Sequence, residues 1–461
     1  MAIIAAYMVP HPPMIVPAVG RGSERQIEAT RAAYMRVAED IAALSPETII
    51  FSSPHATMYA DYFHISPGRS TEGSFARFRA PQARFREEYD AELVKTIERI
   101  AIARSLPAGT RGQRDPGLDH GTMVPLYFIR QVYSGFRLVR VGLSGLPLEE
   151  HYRLGQVIRR AVEETGRRTV FVASGDLSHK LQSYGPYGFA PEGPQYDARI
   201  MDICERAAFG ELFDFDELFC ERAAECGHRS FVIMAGALDG TAVQAERLSH
   251  EDVTGVGYGI CMFHPTGKDD SRRFLDSRQR EQEKRVVESR AKCDPWVRLA
   301  WQSIESWVRE RKVPAILDGL PDELTQCRAG AFVSIHKQGR LRGCIGTIAP
   351  TQGSLAEEII HNAISAAACD PRFDPIRLDE LNWLEINVDV LGEPEDIESE
   401  SQLDVKHYGV IVTKGHRRGL LLPDLEGVDT VRQQVEIAKQ KAGIGPKEKV
   451  DLQRFEVVRH T

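Results

Sequence analysis

The stretch T-V-F-V-A-S-G-D-L-S-H, residues 169–179, joins an apolar, β-branched run to a turn that ends in a histidine. Runs of the same kind alternate with amphipathic stretches over residues 1–265. The strand-like runs are Ala2–Val9, Thr48–Ser52, Phe136–Leu143, Thr169–Ala173 and Gly255–Phe263, and the helix-like stretches include Glu24–Leu44, Ala91–Ile102, His151–Glu164 and Gln195–Ala208. Strands that alternate with helices predict βαβ units. We therefore expect an α/β domain over residues 1–265, with a mostly parallel sheet flanked by helices.

Four histidines of this region share one sequence context. His11, His55 and His179 each follow a predicted strand within a few residues, and His120 lies in the loop L-D-H-G-T that leads into a helix. Ligands of parallel sheets bind outside the carboxyl ends of the strands. Imidazole binds iron, zinc and copper and titrates near neutral pH. A single such histidine is more often an ordinary loop residue, but four in matching positions predict a metal site with acid–base groups.

A further segment, F-C-E-R-A-A-E-C-G-H-R-S, adds a candidate third ligand. Glu225, Cys226 and His228 precede the apolar helix predicted over Ser230–Leu238. Two histidines and one carboxylate leave coordination positions open for a substrate and O₂ on Fe(II). Glu225 is the first choice for this ligand and Cys226 the second. A solvated glutamate beside a buried cysteine is the alternative interpretation.

Composition narrows the class of protein and its partners. The net charge of −8 and the pI of about 6.0 argue against nucleic acid and against an anionic membrane surface as partners. The sequence has no apolar run of membrane-spanning length, and M-A-I-I-A-A-Y-M-V-P-H-P-P at the start lacks the basic region of a signal peptide. Its eight cysteines are scattered without paired spacing, which indicates reduced thiols. We expect a cytoplasmic protein that forms a homo-oligomer.

The second half of the chain begins after a strongly charged stretch. Residues 266–290 carry almost no apolar side chains and predict a solvated linker that turns helical. A helical stripe starts at Pro295, and strands are expected at Gly330–His336, Trp383–Leu391 and Gly409–Val412. Residues 291–461 therefore form, by prediction, a second domain of the α+β class.

Over about residues 1–264, the sequence resembles the class III extradiol dioxygenases and their non-oxygenase relatives, the Memo family. The resemblance rests on five motifs that occur in this order: H-P-P, S-P-H-A, D-H-G-T, S-G-D-L-S-H and the E-C-G segment. In the dioxygenases, the residues that match His11 and His55 bind Fe(II) together with a glutamate. The resemblance implies that His120 and His179 act as acid and base. Zinc and copper are the alternative metals.

The resemblance leaves three functions open. The first is an extradiol-type dioxygenase that opens a catechol-like ring with O₂ on Fe(II), in a pocket walled by Tyr184, Tyr187 and Phe189 unless these form an ordinary turn. Cys226-Gly227 is instead the pattern of the Memo family, and the second function is therefore a Memo-like metal or redox protein. The third is a zinc hydrolase at the same residues.

In the second domain, the loop G-R-L-R-G-C-I-G-T, Gly339–Thr347, places Arg342 two residues before Cys344. Gly343 and Gly346 are expected to leave the backbone beside the thiol open to close approach. Arg342 could then bind an anionic group next to a thiol of lowered pKa. The alternative is an inert, buried cysteine in a glycine-rich turn.

This loop, together with D-P-R-F-D-P (370–375) and H-R-R-G-L-L-L-P (416–423), resembles the AMMECR family over about residues 290–461. The resemblance implies a fold and a candidate second cleft around Arg342, Cys344 and Glu385. Because such proteins are often encoded beside Memo-like and radical-SAM proteins, it also implies a radical-SAM partner in one pathway.

Overall fold

The computed structural model describes residues 3–114, 117–316, 319–337, 339–425 and 427–461. The chain separates into two compact units, residues 1–278 and 279–461. We describe each unit by itself. Among the described residues, no helix has the length and apolar character needed to cross a membrane.

The first unit alternates strands and helices as expected. Its strands are β1 (Ile3–Val9), β2 (Thr48–Ser53), β3 (Phe63–His64), β4 (Ser70–Phe75), β5 (Ala80–Glu88), β6 (Ala108–Gly109), β7 (Arg137–Gly142), β8 (Thr169–Ser174), β9 (Thr241–Glu251) and β10 (Tyr258–Lys268). Its helices are α1 (Pro17–Gly20), α2 (Glu28–Leu44), α3 (Ala91–Ala103), α4 (His120–Val132), α5 (Leu148–Thr165), α6 (Glu192–Glu205), α7 (Glu217–Ala223) and α8 (His228–Ala237).

A six-stranded sheet forms the centre of this unit, in the order β7-β2-β8-β1-β10-β9. The pairs β2–β7, β2–β8 and β1–β8 are parallel, whereas β10 runs antiparallel to β1 and to β9. The mostly parallel α/β class is thus confirmed. Because β1, β2 and β8 are parallel neighbours, their carboxyl ends meet at one edge of the sheet.

Helices cover both faces of this sheet, which explains why its inner strands are apolar throughout. One core packs α3, α5 and α8 against side chains such as Phe171, and the other packs α2 and α4 against side chains such as Val172. All six residues of β2 and of β8 are buried. Burial on both faces favours the continuous β-branched runs from which the strands were predicted.

The observed bounds of the predicted strands follow the prediction closely, but several strands were not predicted, among them the two-residue strands β3 and β6. The first strand runs from Ile3, and the predicted start at Ala2 lies outside the described residues. The prediction also missed the β4–β5 hairpin and strand β9. The hairpin and β9 have exposed faces with many charged side chains, and their apolar alternation is therefore weaker than that of a buried strand.

The predicted charged linker is mostly helical. Strand β10 continues to Lys268, and α9 (Phe274–Lys292) follows. Leu275 is buried in a core of the first unit and Val286 in a core of the second, so the segment is not fully solvated as expected. The division between the units falls at Arg278 and Gln279, inside this helix.

The second unit is an α+β structure, which confirms its predicted class. Its helices are α10 (Pro295–Glu310), α11 (Asp322–Thr325), α12 (Leu355–Ala368) and α13 (Val431–Lys441). Its strands are β11 (Ala331–Lys337), β12 (Arg340–Gly346), β13 (Leu384–Leu391), β14 (Glu395–Ile397), β15 (Tyr408–Lys414), β16 (Arg417–Leu421) and β17 (Asp451–His460). They form an antiparallel sheet in the order β12-β11-β13-β17-β15-β16, with β14 paired to β17.

Candidate metal centre

Three potential metal ligands converge at the carboxyl edge of the central sheet. One ligand atom from each of His11, His55 and Cys226 lies within 4.8 Å of the other two. His11 Nε2 is 3.0 Å from His55 Nε2 and 3.6 Å from Cys226 Sγ. His11 follows β1 and His55 follows β2, the two strands that flank β8. Cys226 stands just before the N-terminus of α8.

The orientation and tautomer of His11 are set by its neighbours. The Ser174 hydroxyl donates to Gly121 O at 2.6 Å, so Ser174 Oγ is free to accept from His11 Nδ1 at 2.9 Å. A proton on Nδ1 leaves the lone pair of Nε2 directed at His55 and Cys226. This is the arrangement in which a histidine that binds metal is held by a neighbouring acceptor.

Of the two alternatives for the third ligand, the structure brings Cys226 next to the histidines. The Glu225 carboxylate instead accepts a 2.6 Å hydrogen bond from the His228 backbone N–H, at the start of α8. Burial raises the pKa of Glu225, and the hydrogen bond from the His228 backbone N–H partly offsets this rise. His228 is also committed, since its Nε2 lies 2.9 Å from Leu212 O.

Asp176 joins the group, although the sequence analysis did not single it out. Its Oδ1 accepts from the His11 backbone N–H at 2.7 Å, and its Oδ2 is 3.9 Å from His11 Nε2. Its own backbone N–H lies 3.3 Å from Cys226 Sγ. Burial raises the pKa of Asp176 to about 6. The aspartate stands in S-G-D-L-S-H, the same motif that contains His179.

His120 and His179, the predicted acid and base, also lie at this edge. The His120 ring stacks on His55 with a centroid distance of 4.0 Å, and burial together with His55 and His11 lowers its pKa to about 3. The His179 ring stacks on Tyr187 at 5.1 Å. Its buried Nε2 has no hydrogen-bond partner among the described residues. Such an unpaired nitrogen favours a water or ligand at the site.

The electrostatics of the site suit a bound cation. Burial lowers the pKa values of His11 and His55, which keeps both imidazoles neutral and able to donate a lone pair. Burial, with the carboxylates of Asp176 and Glu225, raises the pKa of the Cys226 thiol. A thiolate at this position therefore needs a nearby positive charge. Two neutral imidazoles and a thiol that a cation would deprotonate form a donor set that fits a transition metal.

A cavity of about 530 Å³ opens beside these residues. His55 and His120 line it, together with residues of the β4–β5 hairpin and residues around the start of α4. The other lining residues are Ala56, Glu72, Gly73, Ser74, Ala76, Arg77, Phe78, Gly117, Leu118, Asp119, Met123 and Arg140. The size and mixed lining fit a small organic molecule.

The aromatic loop after His179 is more open than a pocket wall. Tyr184, Tyr187 and Phe189 expose 72%, 59% and 57% of their surface. Tyr187 contacts His179 by stacking, and the Tyr184 hydroxyl lies 3.4 Å from Val253 O. The loop thus borders His179 but does not line the cavity at His55 and His120.

In the second unit, Arg342 is engaged in structural contacts. Its guanidinium makes two hydrogen bonds to the Glu380 carboxylate, at 2.9 and 3.1 Å, and one to Asp374 O at 2.8 Å. Glu385 lies opposite His336 in the β11–β13 register. Arg342 and Glu385, two residues of the predicted second cleft, therefore have different neighbours.

The prediction that the backbone beside Cys344 is open to close approach by a ligand is wrong. A Cβ at Gly343 would lie 2.3 Å from Ala366 O, and one at Gly346 would lie 2.2 Å from the Phe332 ring. These glycines are needed for close packing of β12, against α12 and against β11. The Cys344 thiol accepts from Ser334 Oγ at 3.3 Å, and Arg372 donates to the Cys344 carbonyl at 3.0 Å.

Comparison with known proteins agrees with this division of the chain. The family described as "Catalytic LigB subunit of aromatic ring-opening dioxygenase" matches residues 5–261, and AMMECR1 matches residues 297–460. Protein CA_C1420 of Clostridium acetobutylicum is 40% identical and covers 100% of this chain and 99% of its own. A Thermotoga maritima protein is 54% identical over 36% of this chain and 97% of its own.

Two crystal structures of uncharacterized proteins are also similar. PH0010 from Pyrococcus horikoshii is 33% identical, with a TM-score of 0.34, and covers 36% of this chain and 88% of its own. JW3007 from Escherichia coli K12 is 14% identical, with a TM-score of 0.38, and covers 56% of this chain and 99% of its own. From the family matches, the chain belongs through its first unit to the LigB family of aromatic ring-opening dioxygenases, and it carries an AMMECR1 domain in its second.

Proposed function

We propose that the first unit binds one transition-metal ion through His11, His55 and Cys226, and that the protein is a Memo-like redox metalloprotein. The convergence of these three donors within 4.8 Å carries the proposal. The Glu225 carboxylate, which would complete the ligand set of a ring-opening dioxygenase, is held by His228 instead. Imidazole and thiolate donors suit iron, copper and zinc.

A bound iron or copper ion would supply one-electron chemistry at the edge of the sheet. The residues of the chain would bind a molecule and handle its protons. His120 lines the cavity and stacks on His55, so its ring can exchange a proton with a molecule that occupies the cavity. The unpaired His179 Nε2 is a second proton acceptor at the site. Such groups contribute about 10²–10⁴-fold to rate.

The metal proposal is tested by loading the anaerobically purified full chain with Fe(II), Cu(I) or Zn(II) and measuring bound metal by elemental analysis. We expect one ion per chain in the native protein and in Glu225→Gln, and a large loss in Cys226→Ser. Cys220→Ser, a partly buried cysteine in the preceding helix, is the matched control. Co(II) loading should give a thiolate charge-transfer band that Cys226→Ser lacks. If Glu225→Gln loses the ion while Cys226→Ser keeps it, the carboxylate is the ligand.

Ring-opening dioxygenase activity is the second candidate. The cavity beside His55 and His120 and the family of the first unit favour it. O₂ uptake by the Fe(II)-loaded chain, measured with a panel of catechols, separates the two functions. Uptake coupled to a ring-opened product would establish the dioxygenase. We expect metal binding without it.

A further inference from the structure

A buried carboxylate on α6 anchors the loop that carries His179. Asp197 is 2% exposed, and its Oδ1 accepts from the Ser178 backbone N–H at 2.8 Å. Ser178 directly precedes His179 in the chain. Its hydroxyl donates to Ala223 O at 2.7 Å, and its carbonyl accepts from the Gly257 N–H at 2.8 Å. The backbone next to His179 is therefore held through the N–H, the carbonyl and the hydroxyl of one residue, and the N–H is held by a charged group.

Asp197 is in turn bonded to His250 of β9. His250 Nε2 is 2.7 Å from Asp197 Oδ2, and because an ionised carboxylate only accepts hydrogen bonds, this nitrogen carries the proton. Burial raises the pKa of Asp197, whereas His250 and the Ser178 N–H oppose this rise. Both donors thus favour the ionised carboxylate, which is the stronger acceptor for the Ser178 N–H.

Gly257 allows this carboxylate to lie against the loop. A Cβ at Gly257 would lie 2.0 Å from Asp197 Oδ2 and 3.0 Å from Leu177 Cβ, so a larger residue would displace the carboxylate or the loop. The Leu177 N–H also donates to Gly257 O at 2.9 Å. Asp197 and Gly257 therefore pack closely against the backbone of residues 177–178, as a glycine permits.

The His179 ring depends on this backbone for its position. Its buried Nε2 has no hydrogen-bond partner among the described residues, and the ring stacks on Tyr187, which is 59% exposed. The same loop carries Asp176, whose carboxylate accepts from the His11 backbone N–H at 2.7 Å. The bond from Ser178 to Asp197 thus fixes the chain between the aspartate beside the ligands and the unpaired imidazole.

We propose that the Asp197–His250 pair positions His179 at the metal centre. Asp197 holds the Ser178 N–H and so sets where the imidazole stands, and His250 keeps the carboxylate in its accepting form. Among the described residues, neither member belongs to the converging ligand group or lines the cavity at His55 and His120, so both act through the loop. The inference rests on the proposed function only in the role that it gives His179.

The test uses the full chain labelled with ¹³C-histidine, in which the His179 ring signal is assigned by its loss in His179→Gln. Metal-free and Zn(II)-loaded protein are both measured. Asp197→Leu fills the position but accepts no hydrogen bond, and we expect its His179 signal to split or to broaden roughly twofold, since exchange between loop positions broadens a signal. Asp197→Asn keeps an accepting oxygen and should restore one narrow signal. Bound Zn(II) should stay at one ion per chain in both variants.

The Asp40–His264 pair of the same unit is the matched control. His264 Nε2 is 2.8 Å from Asp40 Oδ2, and the pair joins α2 to β10. Asp40→Leu should lower stability in urea and leave the His179 signal unchanged. The proposal is overturned if Asp197→Leu keeps the native signal, if Asp197→Asn does not restore it, or if Asp40→Leu disturbs it equally.

A second pair of variants applies if Asp197→Leu does not fold. His250→Phe should disturb the His179 signal, and His250→Gln, which can still donate to Asp197, should preserve it. Equal signals in these two variants would then overturn the proposal. Metal content separates the two proposals: the expected His179 changes in a chain that binds no metal would refute the metal site and leave the positioning role, and unchanged His179 signals with one bound ion would do the reverse.

Discussion

At the scale of the residue, Ser174 is expected to control the affinity of the metal site. Its hydroxyl accepts from His11 Nδ1 and so fixes the tautomer whose Nε2 faces the other ligands. Ser174→Ala should lower metal affinity by about 10–100-fold, the usual effect of losing such a partner. Competition with a chelator of known affinity measures the change. Ser230→Ala removes a buried hydroxyl that bonds to Ser52, and it should leave the affinity unchanged.

His120 and His179 should separate metal binding from turnover. Alanine at either position is expected to leave the bound metal unchanged, because neither ring belongs to the converging ligand group. Turnover on an identified substrate should fall by about 10²–10⁴-fold, as it does when a general acid or base is lost. Elemental analysis beside steady-state kinetics tests both parts. Loss of the metal from His179→Ala would make His179 a ligand instead.

At the scale of the element, the contact between β12 and the short helix Leu378–Trp383 should make the second unit sensitive to acid. Burial alone would raise the pKa of Glu380, but Arg342 and Lys337 outweigh it and lower that pKa to about 2. A carboxyl whose pKa is lowered on folding contributes stability above its unfolded value, near 4.5, and loses it as pH falls towards 2.

Urea unfolding at a series of pH values measures this contribution. Between pH 4.5 and 2, the native protein should lose more stability than Glu380→Gln. At pH 7, Arg342→Ala should cost about 3 kcal/mol, because it leaves a mostly buried carboxylate short of a partner. Arg377→Ala removes a neighbouring arginine whose guanidinium pairs with the exposed Asp379, and it should cost less than about 1 kcal/mol. Equal losses in the two arginine variants would contradict this account.

The elements also explain how much of the fold and site the sequence could predict. Strands buried on both faces, such as β2 and β8, have continuous apolar runs and could be predicted. The positions of His11, His55 and His179 at the edge of the sheet followed from the carboxyl ends of these strands. The choice between Glu225 and Cys226 depends on which side chain turns inward at the start of α8, and neighbouring residues share the same sequence signal. Gly343 is needed because α12 packs against it, and Gly346 because the Phe332 ring packs against it. Neither contact can be predicted from the sequence around the glycines.

At the scale of the whole molecule, the two units should respond separately to metal. All four tryptophans, Trp296, Trp301, Trp307 and Trp383, belong to the second unit. Tryptophan fluorescence therefore reports unfolding of residues 279–461, while far-UV circular dichroism reports both units. A ligand that binds only the folded state stabilises it by about 2.7 kcal/mol at a hundredfold excess over its Kd.

Zn(II) at such an excess should therefore raise the denaturant midpoint of one circular dichroism transition and leave the tryptophan transition unchanged. Each unit has its own cores, so we expect little coupling. In Cys226→Ser, the metal-dependent shift should be lost while both transitions persist, which separates loss of the site from loss of the fold. If the tryptophan transition moves together with the metal-dependent one, the two units unfold as a single cooperative body and the metal site stabilises the AMMECR1 domain as well.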